Sequence, residues 1–81
     1  MTFRAIIRPK DGILDPQGEA AERALRQLGF AVGAVRVGRV AHLEVEAADE
    51  AEGQKQVERM CRELLANPLI EVYEVERVDE T

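Results

Sequence analysis

The sequence predicts an α+β domain in which an antiparallel sheet carries two helices on one face. Three observations predict it. Residues 2–8, 35–46 and 70–78 alternate or run apolar in the manner of strands, residues 16–28 and 50–65 repeat apolar side chains at three- and four-residue spacing, and proline, glycine and capping residues punctuate the boundaries. The resulting order is strand, helix, strand, strand, helix, strand.

The first strand reads TFRAIIRPK. Phe3, Ala5 and Ile7 alternate with Arg4, Ile6 and Arg8, and Pro9, which has no backbone donor, stops it. Residues 10–14 form a loop with Asp11-Gly12 as its turn signal. Asp15 is then a natural N-cap and Pro16 sits at the first helical position, where its missing N–H costs nothing. The helix carries Ala21, Ala24, Leu25 and Leu28 on one stripe and pairs Glu19 with Arg23 and Glu22 with Arg26 on the outside. Gly29 is placed to take the left-handed conformation that ends it.

In VRVGRVAHLEVEA, the residues Val35, Val37, Ala41, Leu43 and Val45 share one parity. That pattern suits one long strand or a hairpin with an odd loop. A three-residue loop, Gly38-Arg39-Val40, would pair Val37 with Ala41 and keep the apolar set on one face, so a hairpin with Gly38 at its corner is expected. The second helix is the stronger one: Val57, Met60, Cys61, Leu64 and Leu65 lie on one face, Asp49 and Glu52 resemble a capping box, and Asn67-Pro68 forbids continuation. The last strand places Tyr73 and Val75 on one side and Ile70, Val72 and Val78 on the other, so both of its faces want cover. Right-handed connections in this order give a single ferredoxin-like βαββαβ domain over residues 1–81. The sheet face opposite the helices would present Arg4 and Arg8 beside His42, Glu44 and Glu46, interrupted by Ile6.

Composition narrows the function. The chain has 81 residues, with 11 Lys plus Arg against 16 Asp plus Glu and a net charge of −5. Such a surface repels phosphate backbones and anionic membranes, so neither nucleic acid nor membrane is an expected partner. One cysteine and one histidine allow no disulfide and no metal-ligand spacing. No leader pattern and no 18-residue apolar run occur, which predicts a cytoplasmic chain. A domain this small buries only about 60–65% of its unfolded surface, which favours self-association into a homodimer or tetramer.

Catalytic candidates each have a plainer explanation. His42 falls on the polar parity of a strand with no serine or second histidine near it, and the chain contains no serine. Cys61 lies inside the apolar stripe of the second helix, where it packs as a small hydrophobe. VGAVRVG lacks both the GxGxxG spacing and the GK[ST] ending of phosphate loops. Glu44 and Glu46 beside arginines make a charge ladder rather than a metal site. No catalytic residue and no metal site is therefore expected, and the informative residues are those that punctuation leaves over, Gln17 and Gly18.

Taken together, LDPQGEAAERALRQLGF, VRVGR and MCRELLANPLIEVYEVE resemble the PurS family, the small subunit of bacterial phosphoribosylformylglycinamidine (FGAM) synthase. The likeness runs from the first strand to about Val78. It implies a complex that converts formylglycinamide ribonucleotide, glutamine and ATP to the amidine, glutamate, ADP and phosphate. In that complex a PurQ-like glutaminase subunit releases ammonia, a large PurL-like synthetase subunit consumes it with ATP and magnesium, and the small subunit, without cofactor or catalytic residue, bridges the two. The resemblance assigns Asp15, Pro16, Gln17, Gly18, Arg36, Gly38, Arg39 and the stretch from Leu64 through Ile70, Asn67 and Pro68 within it, to subunit contact. The two-sided last strand adds Val72 and Tyr73. Arg39 stands where the family commonly has lysine, and Val72 where an acidic residue is common. Gly18 is expected to permit close approach by a partner chain, with Gln17 supplying a hydrogen bond. The competing expectation is a free-standing ferredoxin-like regulatory module that binds a small metabolite at a dimer interface.

Overall fold

The computed structural model describes residues 1–78, so the last three residues of the expected 1–81 domain lie outside the described residues. Strand β1 spans Thr2–Pro9, helix α1 Pro16–Gln27, strand β2 Arg39–Glu44, helix α2 Glu50–Met60 and strand β3 Glu71–Val78. β1 is central and antiparallel to both neighbours, giving the order β2-β1-β3. This is the ferredoxin-like sheet without its second strand.

Alternation in β1 sets the two faces. Phe3, Ala5 and Ile7 are buried, and opposite them on the same face stand Leu43, Ala41 and Tyr73 with Val75. α2 covers this face through Val57, and Cys61 at the start of the turn that follows continues it; both are fully buried with Phe3 in one cluster. Gly53 lets the helix come this close, because a methyl there would stand 2.6 Å from the Phe3 ring. Gln54 fastens the layers by donating to the carbonyl of Val75 at 3.2 Å. The amino terminus and Met1 carbonyl continue the β1–β2 ladder onto Val45. On the opposite face Arg4 pairs with Glu76 and Arg8 with Glu74, around an apolar strip of Ile6, Val40 and Val72.

The helix termini follow the chemistry read in the sequence. Asp15 accepts from the N–H of Gly18 at 3.0 Å and Asp49 from that of Glu52 at 2.8 Å. Gly29 adopts φ 97° and α1 ends in a Schellman arrangement, with the Phe30 N–H on the Leu25 carbonyl and the Gly29 N–H on that of Arg26. Beyond α2 the helix widens into a π turn over Cys61–Leu65, closed by the Ala66 N–H on the Cys61 carbonyl at 2.9 Å.

Two features differ from the sequence reading. The hairpin does not form. Arg39 and Val40, two of the three residues expected in its loop, are in register with Ile7 and Ile6 of β1, so the chain enters β2 straight through Gly38, and residues 31–38 have no regular structure. Nor does α1 cover the sheet within this chain. Its apolar stripe contributes nothing to the buried cluster, and Leu28 and Phe30 are 74% and 58% exposed. The radius of gyration is 15.8 Å, against about 12 Å for a compact chain of this length.

Candidate functional site

The first cluster joins the start of α1 to the segment before β2. Pro16 leaves Asp15 free to cap, and one carboxylate oxygen takes the Gly18 N–H while the other takes the Val37 N–H at 2.8 Å. The carbonyl of Val35 then rests directly on Gly18, where an alanine methyl would overlap both it and the Asp15 carboxylate. Gly18 is thus needed for a close approach, but the approaching backbone belongs to the same chain and not to a partner. These backbone donors, with Arg36 nearby, hold the Asp15 carboxyl below the usual carboxylate range.

Val35 and Val37, held in this way, present Arg36 between them. Its Nη2 donates to the carbonyls of Pro9 at 3.2 Å and Lys10 at 2.6 Å, and Nη1 lies 3.8 Å from the exposed Asp11. Arg8, Pro9, Lys10, Asp11, Arg36 and Val72 surround an open cleft of about 630 Å³.

The second cluster links the start of β2 to the helix–strand junction. Gly38 lies against the Ile7 carbonyl, with no room for a methyl. Arg39, the next residue, makes a two-pronged contact with Glu71, at 2.6 and 2.9 Å, and donates to the Leu65 carbonyl at 2.8 Å. Glu71 also accepts from the Asn67 N–H at 2.7 Å, while the Asn67 side chain takes the Leu69 N–H and its carbonyl takes the Glu71 N–H. The π turn delivers the Leu65 carbonyl to this knot. The bond to Glu71 raises the pKa of the Arg39 guanidinium, and Arg39, together with the Asn67 N–H, lowers that of Glu71. Around the knot Leu64 and Leu69 are exposed by more than four-fifths.

The structure therefore brings Asp15, Gly18 and Arg36 into one neighbourhood, and Gly38, Arg39 and Asn67 into another. Pro16 and Pro68 act as punctuation, and Gln17 and Pro68 are exposed. Val72 faces outward, whereas Tyr73 faces α2 and packs on the core. Glu71 is the residue that sequence reasoning missed. Its alternation with Tyr73 and Val75 placed it on the helix-facing side, but only the pairing of both outer strands with β1 brings it to Arg39.

Asp15 and Glu71 become poorer bases, and burial, with Glu58 adding to it, pushes the Cys61 thiol up, making it a poorer nucleophile. Among the described residues no three His, Cys, Asp or Glu side chains are grouped to hold a metal, and no helix is long and apolar enough to cross a membrane.

Comparison with known proteins gives a consistent result. The family profile of PurS, described as phosphoribosylformylglycinamidine (FGAM) synthase, matches residues 2–79. The chain is similar to the phosphoribosylformylglycinamidine synthase subunit PurS of Thermotoga maritima, 40% identical over 74 residues and 90% of each chain. It is 41% identical to that of Archaeoglobus fulgidus over 85% of this chain and 88% of the relative. The crystal structure of the T. maritima subunit superposes with a TM-score of 0.88 at 38% identity, covering 95% of this chain and 90% of that one. A chain in the structure of PurLQS from T. maritima gives 0.84 at 38% identity, covering 96% and 99%.

Proposed function

Because this chain belongs to the PurS family of FGAM synthase subunits, we propose that it is the non-catalytic small subunit of that enzyme, bridging a PurL-like synthetase subunit and a PurQ-like glutaminase subunit. The reaction joins the nitrogen of glutamine to formylglycinamide ribonucleotide at the expense of ATP. Ammonia made on one subunit must reach the other before it is protonated or lost, so the two active sites have to be held in fixed relation. ATP and magnesium act on the synthetase subunit. This chain holds the assembly together and thereby supports ammonia transfer in the cytoplasm.

The observation that carries the reading is the whole-length likeness to a chain of PurLQS. The chemistry of the two clusters supports it, since most of their polar groups are spent within this chain on positioning backbone, and their ends are exposed. The uncovered stripe of α1 and the open edge of β2, where the second strand of a ferredoxin-like sheet would pair, support a homodimer or dimer of dimers. Asp15, Pro16, Gln17, Gly18, Arg36, Gly38, Arg39, Asn67, Pro68 and Val72 then form or shape the contact surfaces, and Tyr73 supports Val72 from beneath the sheet.

Sedimentation of the purified chain with the synthetase and glutaminase subunits, in glutamine and ADP, tests this. One species containing all three is expected. Stable pairing of synthetase with glutaminase that excludes this chain would refute it.

A further inference from the structure

The DPQG and VRVG motifs converge on one result, the placement of Arg36. Asp15 holds the Val37 N–H at 2.8 Å, the Val35 carbonyl rests on Gly18, and the residue between them reaches back over the end of β1. There the Pro9 and Lys10 carbonyls hold one edge of its guanidinium. On the Nη1 edge the one partner among the described residues is Asp11, a fully exposed ion pair at 3.8 Å and beyond hydrogen-bond distance, which an incoming carboxylate can displace. A guanidinium already fixed by its own backbone has less freedom to lose on binding.

The surroundings are cationic in an acidic protein. Arg8, Lys10 and Arg36 meet only Asp11 around the cleft, while the chain as a whole carries −5. Arg8 is drawn to Glu74, leaving Lys10 and Arg36 as the cations of the rim. Pro9 and Val72 supply an apolar floor. The cleft is open, whereas sites for small ligands enclose most of the ligand's surface. A free anion would stay hydrated here and bind weakly, but a carboxylate presented by a protein surface arrives with its neighbours and excludes water.

We propose that this cleft docks an acidic segment of another subunit of the complex, its carboxylate between Arg36 and Lys10 and an adjoining apolar side chain over Pro9 and Val72. The inference rests on the bridging function and names the surface that performs it. The like-charged remainder of the molecule repels such a segment elsewhere, so the cleft also fixes orientation.

The test compares wild type with Lys10→Glu and with Lys55→Glu, an equal charge change on exposed α2, in binding to the synthetase and glutaminase subunits at low and high salt. Lys10→Glu is expected to weaken assembly roughly tenfold at low salt and flatten its salt dependence, while Lys55→Glu does neither and light scattering shows an unchanged homo-oligomer for both. Equal losses in both variants, or none in either, would overturn the proposal. So would dissociation of the homo-oligomer by Lys10→Glu, which would make the occupant a second copy. Saturable binding of inorganic phosphate or ADP to the isolated wild-type chain, abolished by Lys10→Glu, would assign the cleft to a small anion and overturn it as well. If wild type binds neither subunit, the bridging function itself fails, and the cleft assignment with it.

Discussion

At the scale of single residues, glycine and carboxylate positions decide the local structure. Alanine at position 18 would gain up to ~1 kcal/mol of helix propensity, but its methyl would overlap the Val35 carbonyl and the capping carboxylate. Forced packing of this kind costs about 1–3 kcal/mol. Gly18→Ala is therefore expected to lower the urea midpoint, and a midpoint equal to or above wild type would contradict the clamp. The sequence revealed that Gly18 was unnecessary to the helix but not what approached it, because Val35 lies 17 positions further along, beyond the rest of α1 and in an irregular segment. Asp15 and Glu71 both have lowered pKa values, so their contribution to stability is complete above the ordinary carboxylate range near ~4 and is lost as pH falls through their folded-state values. Stability should be level above about pH 5 and decline below about pH 4, with Glu71→Gln giving a shallower decline. Cys61 should resist thiol reagents at neutral pH until the chain unfolds, since burial and Glu58 raise its pKa.

At the scale of elements, periodicity and capping made β1, α1, α2 and β3 legible. The segment from Val35 to Val45 misled for a definite reason. A strand that continues and a hairpin with a three-residue loop give the same parity, and only pairing with β1 distinguishes them. The π turn had no sequence signal, because the apolar stripe continues through Leu64 and Leu65 while Leu64 itself is exposed. The consequence lies in the knot that the turn helps form. Lysine at position 39 keeps the charge but cannot make the two-pronged contact and reach the Leu65 carbonyl together. Arg39→Lys should cost about 0.5–1 kcal/mol, in keeping with a half-exposed guanidinium on a mostly covered carboxylate, and Arg39→Ala more, because Glu71 then keeps only the Asn67 N–H and loses its charged partner. Chemical denaturation of the two variants measures the difference.

At the scale of the molecule, a thin and elongated chain exposes an amphipathic helix and a sheet edge that a self-contained domain would cover. The notion of a small, self-associating subunit was readable from length and from the two-sided last strand. The uncovered stripe of α1 was not, since the sequence reading packed both helices on the chain's own sheet. Leu28→Asp is expected to reduce the homo-oligomer's mass by light scattering, because a carboxylate would be buried where an apolar side chain belongs; an unchanged mass would place the interface elsewhere. The central claim is that the chain connects two catalysts without catalysing anything itself. Glutamine-dependent FGAM formation by the synthetase and glutaminase subunits, measured with and without this chain, tests it directly, with ammonia-dependent turnover of the synthetase as the reference. The account predicts no activity from the chain alone, little glutamine-dependent turnover without it and full turnover on its addition; full glutamine-dependent turnover in its absence would contradict it.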